Sequence, residues 1–260
     1  DELSKFKNSQ SDRSKTLRPR LQGVGWRWGL TGSLAPNGHM DLFGQQLILA
    51  DGRKFRFGAA GGSTLVVGNV LTSGVATASQ QNLTAAAGAV NDRIATMTTG
   101  ASSAINVFAE GYLVVSVTPG LGQTFKIASH ALMTSGAGDI VNFAPGHAIR
   151  VATTTSSKYD LIPNPYFALI QSPATTVASL CMGVAISAPL TLRGCWVQTR
   201  GACGVLTSGT AIAGDVVGTG LGTGGAAGPR AAIATQPIIG ICMFAAATGA
   251  VSTFYLTLDG

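Results

Sequence analysis

The 260-residue chain is predicted to be all-β, a sandwich or barrel of short strands with one or two short helical turns and an extended N-terminal arm. Three observations predict this. Glycine occurs 35 times; short apolar or alternating runs recur between Gly, Pro, Asn and Asp turns; and no stretch shows the period of a long amphipathic helix. Short strands at close spacing build sandwiches and barrels, and the missing helices exclude a doubly wound nucleotide fold or a helical bundle.

Residues 1–32 read as a basic arm and residues 33–260 as a β-rich body with room for two subdomains, 33–185 and 186–260. Residues 1–56 hold ten Lys and Arg against five Asp and Glu, the remainder seven against six, so most of the net charge of +6 sits at the N-terminal end. Such an arm suits an acidic protein surface or nucleic acid, or is simply a solvated terminus. It lacks the interleaved aromatics of a base-stacking platform, so sequence-specific nucleic-acid binding is not expected. Trp26 and Trp28 share one face of an extended segment, which suits docking into a core or a neighbouring subunit. The candidate partner-binding residues are therefore Arg13, Lys15, Arg18, Arg20, Trp26 and Trp28.

In the body, Asp51-Gly52 turns one strand (46–50) into the next (54–57), a hairpin whose Phe55 and Phe57 face one way and whose cations face the other. Ala85–Ala87 suggest a short helix within 80–100, followed by a strand. A Ser at 103 and a Gly at 111 suggest a helical turn between them. Strands are then expected at 112–117, 124–128, 140–143, 149–153, 166–170, 180–185, 194–199, 203–206, 215–217, 238–244 and 251–258. One segment echoes another: Thr64-Leu-Val-Val-Gly-Asn-Val-Leu71 and Thr210-Ala-Ile-Ala-Gly-Asp-Val-Val217 share a turn running into an apolar strand, which marks related β units or a coincidence of composition.

Only 11% of residues are charged, less than half the usual share, which points to a subunit of a permanent assembly. Cys181, Cys195, Cys203 and Cys242 lack the spacing of a zinc site and read as buried free thiols, in keeping with a reducing compartment. The charged N-terminus does not read as a signal peptide. The apolar stretch 238–251 is too short, and too broken by Gly240 and Gly249, to span a bilayer. No cofactor is expected. Residues 57–260 hold six isolated carboxylates, the three histidines (His39, His130, His147) stand far apart, and no nucleophile elbow occurs, so no enzyme is expected. The glycines of 220–225 fit a dinucleotide fingerprint only formally: no helix can open at the Ala-Ala-Gly-Pro that follows, so 218–228 reads as a flexible loop.

Several ordered pieces resemble virion proteins of tailed phages that decorate or cement the capsid: Asp51-Gly-Arg-Lys-Phe-Arg-Phe57, Gly61-Gly62, Gly68, Ala109-Glu-Gly-Tyr112, and Gly120-Leu-Gly-Gln-Thr-Phe-Lys-Ile127. Thr154-Thr-Ser-Ser-Lys158, Leu161-Ile-Pro-Asn-Pro-Tyr166 and Trp196-Val-Gln-Thr-Arg-Gly201 continue the pattern over residues 51–206; the first fifty residues fall outside it. The resemblance implies a mostly β, non-enzymatic protein that binds the major capsid protein on the outside of the lattice, often as a trimer, in a virion assembled in the host cytoplasm. A tail, fibre or baseplate component and a carbohydrate-binding β module are the alternatives. Trp196, Tyr166 and Phe167 join Trp26 and Trp28 as candidate anchors, since large rings dominate interface energetics, with core packing the competing reading for each and the favoured one for Trp196 and Tyr166.

Overall fold

The computed structural model describes residues 42–75, 77–175, 177, 179–219, 222–230, 236–245 and 247–259. Two β assemblies fill this region. Six strands, β4 (Leu83–Ala85), β5 (Ile94–Thr98), β6 (Tyr112–Val117), β7 (Thr124–His130), β8 (Gly138–Phe143) and β9 (Lys158–Ile162), close into a barrel in the order β4-β5-β8-β7-β6-β9. The other ten form one curled sheet: β1 (Gln46–Ile48), β2 (Lys54–Ala59), β3 (Val70–Thr72), β10 (Ile170–Gln171), β11 (Cys181–Ala185), β12 (Gly194–Leu206), β13 (Val216–Thr219), β14 (Ala227–Pro229), β15 (Ile238–Cys242) and β16 (Val251–Thr257). The all-β class is thus what the molecule adopts.

Strand alternation fills the barrel. Leu113 and Val115 of β6, Phe125 and Ile127 of β7, Val141 and Phe143 of β8, and Tyr159 and Leu161 of β9 point inward, as period-2 geometry requires. Phe125 and Phe143 stack 4.4 Å apart within it. The buried Tyr159 hydroxyl finds the Thr153 hydroxyl at 2.8 Å, which removes the cost of an unpaired polar group in this core.

The curled sheet is built twice from one plan. The first repeat comprises β2, β3, β10, β11 and the front half of β12; the second comprises the back half of β12, then β13, β14, β15 and β16. In both, the first strand pairs with the fifth, the second with the third and fourth, and the fourth with the fifth. The connecting hydrogen bonds also correspond. Gly68 N–H donates to Ala185 O and Ala185 N–H to Asn69 O; Gly214 N–H donates to Cys242 O and Cys242 N–H to Asp215 O. A parallel bridge joins Ala60 to Leu169 in one repeat and Thr207 to Ala227 in the other. The echo in the sequence is therefore structural: Gly68 and Gly214 each take a positive φ, 81° and 93°, in a turn that only glycine enters freely, and an Asn or Asp then leads into β3 or β13.

The repeats differ in one connection. Between β13 and β14 the second repeat runs through residues 220–226, whereas between β3 and β10 the first repeat carries the entire barrel.

Several sequence expectations are corrected. Residues 80–100 hold no α-helix: a single 3-10 turn (Ala78–Gln80) precedes β4, which takes in Ala85, because pairing with β5 and β9 outweighs alanine's helix preference. Residues 103–111 form successive turns rather than a helix, since Asn106 and Glu110 both sit at φ 61°. Residues 149–153 contribute one isolated bridge, Gly88 to Thr153, and of 166–170 only Ile170 enters a strand. The expected loop 218–228 supplies the end of β13 and the start of β14. The two strands expected at 194–199 and 203–206 are one thirteen-residue strand, bent at Gly201 where φ is 87°. Strands β9 and β14 have no counterpart in the sequence reading.

Candidate interaction surface

The candidate residues Arg13, Lys15, Arg18, Arg20, Trp26 and Trp28, with the arm that bears them, lie outside the described residues. The other anchors do meet. In the β2–β12 ladder Phe57 stands opposite Trp196, so the alternation noted at Phe55 and Phe57 delivers Phe57 to the Trp196 ring, edge-on at 5.3 Å. Phe43 stacks on Phe57 at 6.1 Å and meets Phe167 at 5.6 Å. These four rings, Trp196, Phe57, Phe43 and Phe167, form a half-buried strip. Tyr166 turns instead toward the core of the first repeat, and its burial raises the phenol pKa, so the core reading holds for it. Phe43 was missed in the sequence; it follows a leucine just before Gly44, and long-range bonds place it, from the Gly44 N–H to the Phe57 carbonyl (2.8 Å) and from the Asn164 amide to the Phe43 carbonyl (3.4 Å).

Phe167 continues the strip into a cleft of about 390 Å³ where the barrel joins the sheet, lined mainly by Ile162, Pro163, Pro165, Val177 and Leu180. Its lining is largely apolar, with no charged side chain among those described.

The strip is braced beneath by an ion pair. Arg56 points away from the phenylalanines, and its guanidinium donates twice to Asp259, at 2.7 and 3.0 Å, and once to the Gly44 carbonyl at 2.8 Å. Thr199 and Gln46 add donors to the same carboxylate. The Arg56 hydrogen bonds hold the Asp259 carboxyl below the usual carboxylate range, against the opposing effect of partial burial. This bidentate pair ties the end of the chain to β2.

Elsewhere the reactive side chains are engaged in structure. Burial pushes the thiols of Cys181, Cys195 and Cys203 up to about 11, which leaves them protonated and unreactive at neutral pH. His130 is buried; its Nε2 accepts from the Phe108 N–H at 3.0 Å while Nδ1 lies 2.7 Å from the Ala131 carbonyl. That pair of partners requires the neutral ring with its proton on Nδ1, and desolvation lowers the pKa accordingly. His147 Nδ1 lies 3.4 Å from the Lys126 backbone nitrogen, and the ring lines a polar depression together with Gln123 and Arg150. Among the described residues no three of His, Cys, Asp and Glu gather closely enough to hold a metal ion, and no helix is long and apolar enough to cross a membrane.

Compared with protein-family models, curated proteins and solved structures, the chain matches none.

Proposed function

We propose that this chain is a non-enzymatic structural subunit of a virus particle, binding the major capsid protein of a tailed phage and stabilising the lattice as a decoration or cement protein. In this reading it works as a homo-oligomer, a trimer by preference, within a virion assembled in the host cytoplasm. The observation that carries the reading is the character of the surface. Leu121, Leu132, Leu180, Leu190, Leu192, Ile105 and Phe244 are each more than 60% exposed, and the aromatic strip adds four half-buried rings. Broad apolar exposure on a weakly charged β body suits extended contact with neighbouring subunits better than capture of a small molecule. The ordered resemblance over residues 51–206 supplies the particular partner.

The test is reconstitution. Purified chain added to expanded capsids assembled without it is expected to appear as regular density on the lattice in electron cryomicroscopy and to raise the temperature at which the shell opens. Absence of binding, or density confined to the tail, overturns the reading. Removing residues 1–30 is expected to weaken lattice binding, and unchanged affinity would refute the part assigned to the arm.

A further inference from the structure

The two repeats have equivalent backbones but do not have equivalent surroundings. In the first repeat a row of side chains crosses the sheet through paired residues: Val70 opposite Val184, Val184 opposite Gln198, Gln198 opposite Phe55. The matching row of the second repeat is Val216 opposite Ile241, Ile241 opposite Tyr255, Tyr255 opposite Ala202. The first row is sealed, with Val70 and Val184 at 0%, Gln198 at 2% and Phe55 at 5% exposure. The second is open, with Val216 at 47%, Ile241 at 44% and Tyr255 at 41%.

The first row is covered by the second repeat itself. Val70 and Val184 belong to the same core as Val205, Val217, Ile239 and Phe254, the inward side chains of the second repeat. The outer face of one repeat is thus packed on the inner face of the next, and among the described residues no further repeat covers the outer face of the second. That face is uncharged and largely apolar, with Thr253 and Thr257 its polar members on β16. Ile238, Met243 and Val251 extend the open row, and no Asp, Glu, Lys or Arg occurs in β13, β15, β16 or residues 201–206 of β12. An antiparallel sheet with one face on a core normally turns polar residues to water on the other.

We infer that the outer face of the second repeat, centred on Val216, Ile241 and Tyr255, is a self-association surface covered by a second copy of this chain. The occupant follows from continuity: the equivalent face of the first repeat is already buried against a unit of this same fold, and an uncharged sheet face packs against another apolar layer about 10 Å away. The inference deepens the homo-oligomeric part of the proposed function and rests on it alone. Its test needs no capsid, so its failure is distinguishable from failure of the lattice reading.

The full chain is studied by sedimentation velocity across roughly two decades of concentration around the micromolar range. Reversible or stable association is expected, and Ile241→Glu and Tyr255→Glu are each expected to weaken it roughly tenfold or more, because a charge is placed at the centre of the contact. Tyr255→Gln, which installs the residue found at the matching position of the first repeat, provides an uncharged variant. Hydroxyl-radical footprinting of the unaltered chain gives a second readout that does not depend on a variant folding: oxidation of Met243 and Tyr255 is expected to fall as association proceeds. A chain that stays monomeric throughout, association indifferent to all three substitutions, or unchanged oxidation at Met243 and Tyr255 would each overturn the inference.

Discussion

The row that crosses the first repeat is sealed and the matching row of the second is open, although the two repeats share a strand plan down to individual hydrogen bonds. The comparison separates what the backbone demands from what the surroundings demand. Backbone demands are kept: Gly183 and Gly240 hold the same place in β11 and β15, and a Cβ at either would fall 2.7 Å from the Gln198 carbonyl oxygen or 2.1 Å from that of Tyr255, closer than such atoms ever approach. Side chains that only need to fill space are free to change, so Val197 in one core is Phe254 in the other. The outer row varies most, with a buried Gln198, whose amide donates to Arg200 O and Ala202 O, standing where the second repeat has an open tyrosine.

The widest separation is expected from Val184→Asp against Ile241→Asp. The first places a carboxylate between two layers with no partner and is expected to cost at least 3–5 kcal/mol, enough to abolish cooperative melting in many domains. The second, at the matching but open position, is expected to leave the far-UV spectrum intact and to shift the melting temperature of the monomer only slightly. Equal damage from both would show that the faces are not as different as their burial indicates. Next, Phe254→Ala is expected to cost roughly 3–5 kcal/mol by urea titration, and Val197→Ala about 2 kcal/mol, because the removed volumes differ while both positions are fully buried.

A smaller effect belongs to the first repeat, which the Arg56–Asp259 pair ties to the segment that follows β16. The folded-state pKa of Asp259 lies below its unfolded value, so the pair contributes fully above about pH 4 and its contribution is lost as pH falls through the depressed folded value. Asp259→Asn is expected to cost roughly 1–2 kcal/mol at neutral pH, and to flatten the acid limb of the stability curve. The barrel provides its own marker: neutral His130 has a lowered folded pKa, so stability is expected to be complete above about pH 6.5 and to decline below it, as the unfolded chain takes up the proton first. His130→Leu should remove that slope, and a slope that persists would assign it to another group.

Much of this organisation was legible in the sequence wherever a turn needs a particular residue. Asp51-Gly52 announced the β1–β2 hairpin, and the Gly-Asn and Gly-Asp pairs announced the repeat, because positive φ at Gly68 and Gly214 is a local requirement. Strand β6 was readable from end to end since its alternation is uninterrupted. What could not be read depends on pairing between distant residues. Gly201 looked like a break in a strand and is a bend within one; Ala85 looked helical and was recruited by the barrel; β14 forms where β13 and the Thr207–Ser208 segment offer it partners. For the candidate surface, Trp196 and Phe167 were visible as large rings, but their convergence through Phe57 and Phe43 is set by the β2–β12 register, which no local pattern encodes. The open row of the second repeat was hidden for the same reason: Val216, Ile241 and Tyr255 look like ordinary core residues until the fold shows them exposed.

The barrel's point of entry carries a consequence for engineering. Thr72 and Ile170 are directly paired neighbours, so the chain leaves the sheet and returns to it at almost the same spot. The second repeat crosses the equivalent gap with residues 220–226. The barrel is therefore wired as a cassette in a hairpin loop, and the sheet offers a socket in which a β domain can be exchanged, shortened to a turn, or replaced by a different cargo without rethreading any other strand.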